Sequence, residues 1–209
     1  LHEEGLDTKV SAILGLPLNR PDLSRWTDLM GRIRNPKGTV RIGIVGKYVE
    51  FKESYKSLIE ALHHAGYGLE LKVDLKWIEG EEIEEKGAAA LLSDCQGVLI
   101  PGGFGIRGTR GMIEGIRYAR ENRIPTFGIC LGMQMISVEF ARHAAALEGA
   151  DSTEFDENPK HRIIFKLREL VDVEELGGTM RLGAYACELA ESSHAAKAYG
   201  TLKISERHR

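Results

Sequence analysis

The chain has 209 residues, enough for one domain of ordinary size or one domain with an appended segment. With 43% hydrophobic and 28% charged residues it is neither disordered, collagen-like nor a disulfide-stapled mini-protein, and a net charge of −3 argues against a nucleic-acid footprint built on charge. The three cysteines Cys95, Cys130 and Cys187 are an odd number at no metal-ligand spacing, which points to a reducing compartment with cytoplasm as the expected location, and no apolar run approaches the roughly 18 residues of a membrane span.

Residues 1–38 hold three of the six prolines, Pro17, Pro21 and Pro36, around a short amphipathic pattern of Trp26, Leu29, Met30 and Ile33 with Ser24 as its expected N-cap. This segment reads as a linker carrying short helices. From Val40 onward, short apolar runs alternate with longer helical stretches. VRIGIVG (40–46) precedes YKSLIEALHHA (55–65), and LELKVDLKWI (69–78) precedes EEIEEKGAAALL (81–92), whose run of glutamates suits a solvated helix start. GVLIPGG (97–103) then precedes GMIEGIRYARE (111–121), and IPTFGIC (124–130) precedes LGMQMISVEFARHAAAL (131–147). Four strand-helix units in succession predict an α/β fold, a mostly parallel sheet with helices on both faces. After Gly149 the rhythm is lost, and a β-rich extension is expected, with strands over 163–167, 180–189 and 202–205 that add to the sheet in antiparallel fashion.

Chemistry concentrates where the fourth strand meets its helix. Gly128 and Gly132 flank Cys130 as G-x-C-x-G, the thiol counterpart of the G-x-S-x-G nucleophile elbow. Such a turn needs neighbours without Cβ atoms, and the helix N-terminus behind it favours a thiolate. Cys95 and Cys187 lack this setting and read as small apolar residues. A second glycine loop, PGGFG (101–105), follows the third strand and is placed to aim backbone N–H groups into the space above Cys130 as an oxyanion hole, although a plain tight turn fits it as well. Residues 103–108 also match G-x-G-x-x-G, but after the third strand and not the first, with no well-placed acid for a ribose. Gly46-Lys47 is not a P-loop. His63, His64 and His143 read as surface or satisfied residues, and no imidazole base for the thiol is evident; the lone His-x-Glu, at His2, lies in the linker-like segment.

Beyond these single features, PGGFG with the cysteine of GICLGMQ 27 residues after Gly103 resembles the core of a class I, triad-type glutamine amidotransferase. LHEEGLD (1–7), IGIVGKYVEFKESYKSLIEAL (42–62), PGGFGIRG (101–108), STEF (152–155), GGTMRLG (177–183) and ERHR (206–209) together resemble the CTP synthase family, in its interdomain linker (1–38) and glutaminase domain (39–209). The resemblance implies a flavodoxin-like core and a glutamine-hydrolysing ligase in which Cys130 attacks the glutamine amide through a thioester. It assigns Gly103 and the Leu131 N–H to the oxyanion, and Gln134 and Glu154 to the L-glutamine pocket. It further implies ammonia delivery to an N-terminal synthetase domain that converts UTP to CTP with ATP and Mg in pyrimidine biosynthesis, and GTP as an activator acting near a mobile PGGFGIRG segment. A homotetramer is also implied, with neither cofactor nor metal in this domain, and with no nucleic-acid or membrane partner. The family's catalytic His and Glu belong to a His-Pro-Glu-Phe motif downstream of an RHRHR stretch, whereas this sequence ends inside that stretch at Arg209, so the base is expected to lie beyond it. Two alternatives stay open: a hydrolase or glyoxalase on the same cysteine elbow, and a regulatory domain that keeps the fold without turning over glutamine.

Overall fold

The computed structural model describes residues 2–17, 22–47, 52–165 and 183–208. The chain divides into two compact units, Leu1–Phe165 and Lys166–Arg209. Among the described residues no helix is long and apolar enough to cross a membrane.

The first unit is organised around strand β1 (Gly38–Gly46), which pairs in parallel with β2 (Leu71–Glu79) on one side and β3 (Gly97–Ile100) on the other. β4 (Thr126–Gly128) continues the sheet in parallel beside β3, giving the order β2-β1-β3-β4. Side chains alternate across a strand, so the register turns Val45, Ile78, Val98 and Ile100 to one face, and Ile44 and Leu99 to the other. All six are at most 4% exposed, so both faces are covered, as the uninterrupted apolar runs of these strands require.

Helix α3 (Lys56–Gly68) packs against β2, and Gly66 permits the approach: a Cβ there would come within 2.6 Å of Val73 Cγ2. α4 (Gly80–Lys86), α5 (Ala88–Leu92), α6 (Thr109–Glu121) and α7 (Leu131–His143) share one core with the Val45 face of the sheet, through Ile83, Leu92, Met112, Ile116, Leu131, Met135 and Val138. The single helix expected over 81–92 is two, because Gly87 at φ 82° and ψ 146° leaves helical geometry between them. The glutamates at the start of α4 do more than face water, since the N-cap Glu79 and Glu82 form a reciprocal capping box.

Two further helices lie in the linker-like segment, α1 (Leu6–Ile13) and α2 (Ser24–Arg34). Ser24 is the first helical residue and not the N-cap; Leu23 holds that place, and the Ser24 N–H donates to the Asp22 carboxylate at 3.0 Å. α2 packs on α3 and β2. Helices α6 and α7 are joined by a buried charge: the Arg120 guanidinium donates to both oxygens of Glu139, at 2.8 and 2.9 Å, and His143 Nδ1 lies 3.3 Å from the same carboxylate. Glu139 is only 1% exposed, so its charge is tolerable only because it is paired, and the pair fixes how α7 lies against α6.

Beyond α7, β5 (Ala150–Ser152) and β6 (His161–Ile164) pair in parallel, where an antiparallel strand over 163–167 was expected. In the second unit β7 (Gly183–Glu188) and β8 (Lys203–His208) form an antiparallel ribbon, connected through α8 (His194–Tyr199), whose N-cap Ser193 accepts the Ala196 N–H at 3.0 Å. The expected C-terminal antiparallel strands are therefore present, but among the described residues they pair with each other and do not extend the four-stranded sheet. Residues 166–167 and 180–182 of the expected strands, and GGTMRLG apart from Gly183, lie outside the described residues.

Candidate active site

Strand order reverses beside β1, which has β2 on one side and β3 on the other. In an open parallel sheet that reversal opens a crevice beyond the carboxyl ends of the strands, where ligands collect. Three segments enter it here: Lys47 after β1, the loop 101–105 after β3, and the turn at Cys130 between β4 and α7.

Cys130 adopts φ 54° and ψ −112°, a conformation that L-residues rarely adopt and that costs on the order of 1–3 kcal/mol. The two glycines of the motif make it possible. A Cβ on Gly128 would lie 2.5 Å from the Gly132 carbonyl, and a Cβ on Gly132 would lie 2.0 Å from the Ile100 carbonyl oxygen. The turn is thus wedged against both its own helix and the end of β3, and the thiol is left exposed. Exposure alone does not distinguish it, since Cys187 on β7 is exposed too; the backbone does. Cys95 is buried, and burial together with the neighbouring Asp94 pushes its thiol up, away from reactivity. Leu131 is the first residue of α7, so its N–H has no partner within the helix and is available to an oxyanion.

The glycine loop lies over this turn. A Cβ on Gly102 would sit 3.9 Å from Cys130 Sγ, and one on Gly103 would sit 3.4 Å from Leu131 Cδ2. The loop is bonded at several points. Tyr55 Oη donates to the Gly102 carbonyl at 3.4 Å, Lys47 Nζ donates to the Phe104 and Gly105 carbonyls, and the Gly105 N–H donates to Glu154 Oε1 at 3.0 Å. Arg107 donates to the Lys47 carbonyl and to Glu81 Oε1 at 3.0 Å. Burial pushes the Lys47 ammonium below its ordinary value, with Glu154 and Glu81 opposing that shift and Arg107 adding to it.

Of the residues singled out from sequence, Cys130, Gly103 and Leu131 come together as expected. Gln134 stands one turn into α7, its N–H bonded to the Cys130 carbonyl at 3.1 Å, and its buried side-chain Oε1 has no hydrogen-bond partner among the described residues. Glu154 is half-buried in the loop between β5 and β6, its own N–H on Ser152 Oγ, with its carboxylate turned to the glycine loop. The histidines do not converge on the thiol. His143 pairs with Glu139, His64 lies 3.7 Å from Glu60, His63 stacks on Tyr67 and His2 bonds to Asp7; among the described residues no imidazole hydrogen-bonds to Cys130. Nor is any group of three or more His, Cys, Asp or Glu arranged there to hold a metal ion. Sequence reasoning missed Lys47, Tyr55, Arg107 and Phe155. The signal available for Lys47 was a lysine directly after the glycine that ends β1, set aside because it makes no P-loop.

A strained cysteine at a strand-to-helix turn, beneath a glycine loop at the carboxyl edge of a parallel sheet, has the geometry of a nucleophile elbow in a protein of the α/β class. The sequence profile of class I glutamine amidotransferases matches residues 50–209, and the chain belongs to that family. Over its full length it is 57% identical to a CTP synthase of Koribacter versatilis and 51% identical to one of Geobacillus kaustophilus. It spans 38% and 39% of those two proteins. A solved structure described as the glutaminase domain of Trypanosoma brucei CTPS with bound acivicin superimposes with a TM-score of 0.71 at 34% identity, over 81% of this chain and 66% of that one.

Proposed function

We propose that this chain is the glutaminase part of a CTP synthase, residues 39–209 forming the amidotransferase domain and residues 1–38 the linker to a synthetase domain. The observation that carries the reading is the Cys130 backbone at φ 54° and ψ −112°, which projects the thiol beside a free helix N-terminus. Cys130 Sγ attacks the carboxamide carbon of L-glutamine, and the carbonyl electrons move onto oxygen, to which the Leu131 and Gly103 N–H groups donate hydrogen bonds. The amide nitrogen takes up, through the base, the proton that the thiol gave up and leaves as ammonia, so that a glutamyl thioester remains; water then adds to the thioester carbon, glutamate is released, and a proton of the water restores the thiol. The family's His-Pro-Glu-Phe motif supplies the base.

The buried Gln134 Oε1, without a hydrogen-bond partner among the described residues, and the Glu154 carboxylate supply acceptors for the amino-acid end of the substrate. Ammonia passes to the synthetase domain, which uses ATP and Mg to convert UTP to CTP in the cytoplasmic synthesis of pyrimidine nucleotides. GTP activates the glutaminase step, and the enzyme is a homotetramer.

Acivicin, present in the Trypanosoma brucei structure, is the probe for this reading. It is expected to label one cysteine stoichiometrically, and peptide mapping is expected to place it on Cys130; a label on Cys95 or Cys187 would overturn the assignment. Glu154 offers a second test. Glu154→Gln keeps an oxygen for the Gly105 N–H and removes only the charge, so the loop stays held while the bond to the glutamine α-ammonium weakens. Such a contact exists in ground and transition states alike. KM for glutamine is expected to rise by roughly 1.5–3 kcal/mol with little change in kcat, and an unchanged KM would return Glu154 to a purely structural part.

A further inference from the structure

Lys47 is 2% exposed, a burial that a lysine tolerates only with partners for its charge. Its direct contacts are neutral carbonyls and a ring, with the Glu154 and Glu81 carboxylates favouring its charge from farther off. The ammonium donates to the Phe104 carbonyl at 3.1 Å and to the Gly105 carbonyl, and lies 6.0 Å from the centre of the Phe155 ring. Its stem runs close under the glycine loop, since a Cβ on Gly103 would sit 3.7 Å from Lys47 Cδ.

These contacts act on particular peptide units. The Phe104 carbonyl and the Gly105 N–H belong to one planar peptide. Lys47 holds its oxygen and Glu154 Oε1 holds its N–H, from opposite ends, so the plane cannot rotate without breaking a charge-assisted bond. The Gly102 carbonyl and the Gly103 N–H form a second such unit, whose oxygen takes the Tyr55 hydroxyl. In a trans peptide the N–H points away from the carbonyl, so this bond sets the side to which the Gly103 donor turns. Glycines at 102, 103 and 105 leave the loop free to flip in the absence of these anchors.

We propose that Lys47 is a positioning residue of the glutaminase step: its buried ammonium locks the Phe104–Gly105 peptide and so keeps the Gly103 N–H preorganised for the oxyanion above Cys130. The proposal rests on the glutaminase function set out above. A preorganised donor contributes to the transition state and little to ground-state binding, and loss of one such donor typically lowers kcat by about 10²–10³-fold.

The test uses the full-length enzyme with Lys47→Met, which keeps the stem and removes the ammonium. Three quantities are measured: kcat and KM for glutamine hydrolysis, and the rate of Cys130 alkylation by iodoacetamide, a displacement at saturated carbon that needs no oxyanion hole. The expected result is a fall in kcat of about 30-fold or more, with KM and the alkylation rate within about threefold of wild type. A kcat close to wild type, an effect confined to KM, or an equal fall in iodoacetamide reactivity would each overturn the proposal, the last by showing that Lys47 supports the elbow as a whole. Should Lys47→Met fail to fold, Lys47→Gln, whose amide stops one bond short of the two carbonyls, carries the same expectations. A wild-type enzyme that is alkylated at Cys130 but hydrolyses no glutamine would unseat the glutaminase function itself, and with it this proposal.

Discussion

Cys130→Ala in the full-length protein is expected to remove glutamine-dependent CTP formation while leaving synthesis from ammonium salts at the wild-type rate. In the proposed reaction the thiol forms the bond that splits amide hydrolysis into two easier steps, and Cys95, the other cysteine of the first unit, is buried and does not replace it. Loss of a nucleophile in comparable hydrolytic sites costs on the order of 10⁶ in kcat, so glutamate release should fall below any practical detection limit. Alanine keeps a Cβ at φ 54°, so the turn itself is unchanged and the loss reads as chemical. Parallel assays with glutamine and with ammonium chloride check the split. If ammonia-dependent synthesis disappeared as well, the scheme of two sites exchanging ammonia would fail, and if glutamine-dependent synthesis persisted, Cys130 would not be the nucleophile.

Most of this site could be read from the sequence because its logic is local. Gly128, Cys130 and Gly132 fall within five consecutive residues, and the steric demands that select them arise between β4, α7 and the end of β3. The parallel sheet was legible for a similar reason, since unbroken apolar runs such as IGIVG and GVLI only suit strands covered on both faces. What escaped was long-range. Lys47 meets Phe104 and Gly105 across 57 and 58 positions, and Gly105 meets Glu154 across 49. No periodicity encodes such pairs. A lysine after a strand reads as solvated until the fold brings carbonyls over it.

The local errors have local physics. Gly87 sits in a stretch of good helix formers, and its positive φ splits α4 from α5 although alanines and leucines follow. Ser24 looked like an N-cap, but Asp22 two residues earlier takes the Ser24 N–H and the helix starts a residue sooner. α8 is six residues long, too short for periodicity to register, and its one clear mark was the serine at 193 that caps it. The pairing of β5 with β6 depends on two three- and four-residue strands, where sequence pattern does not distinguish parallel from antiparallel.

Gly132→Ala is expected to disable the elbow from behind, without touching a reacting group. On helix propensity alone the change would stabilise α7 by up to about 1 kcal/mol. Packing opposes it decisively. The new Cβ would lie 2.0 Å from the Ile100 carbonyl oxygen, 2.7 Å from its carbonyl carbon and 2.8 Å from Ile100 Cβ, atoms that belong to a fully buried strand and have no flexible end to yield. The relief available is for the first turn of α7 to move away from β3, which draws Cys130 and the Leu131 N–H out from under the loop at 102–103. Overpacking of this kind costs typically about 1–3 kcal/mol and sometimes more, and a displacement of about 1 Å at reacting groups can cost roughly 10²-fold in rate. Melting temperature and glutaminase kcat should therefore fall together, by several degrees and by about two orders of magnitude. Gly31→Ala supplies the control: it lies inside α2 with nothing within 4 Å of its new Cβ, so propensity acts alone and stability should hold or rise slightly. A Gly132→Ala enzyme that melts and turns over like wild type would mean that α7 does not rest on Ile100, and that the strained turn at Cys130 is held by something other than the close approach of helix and strand.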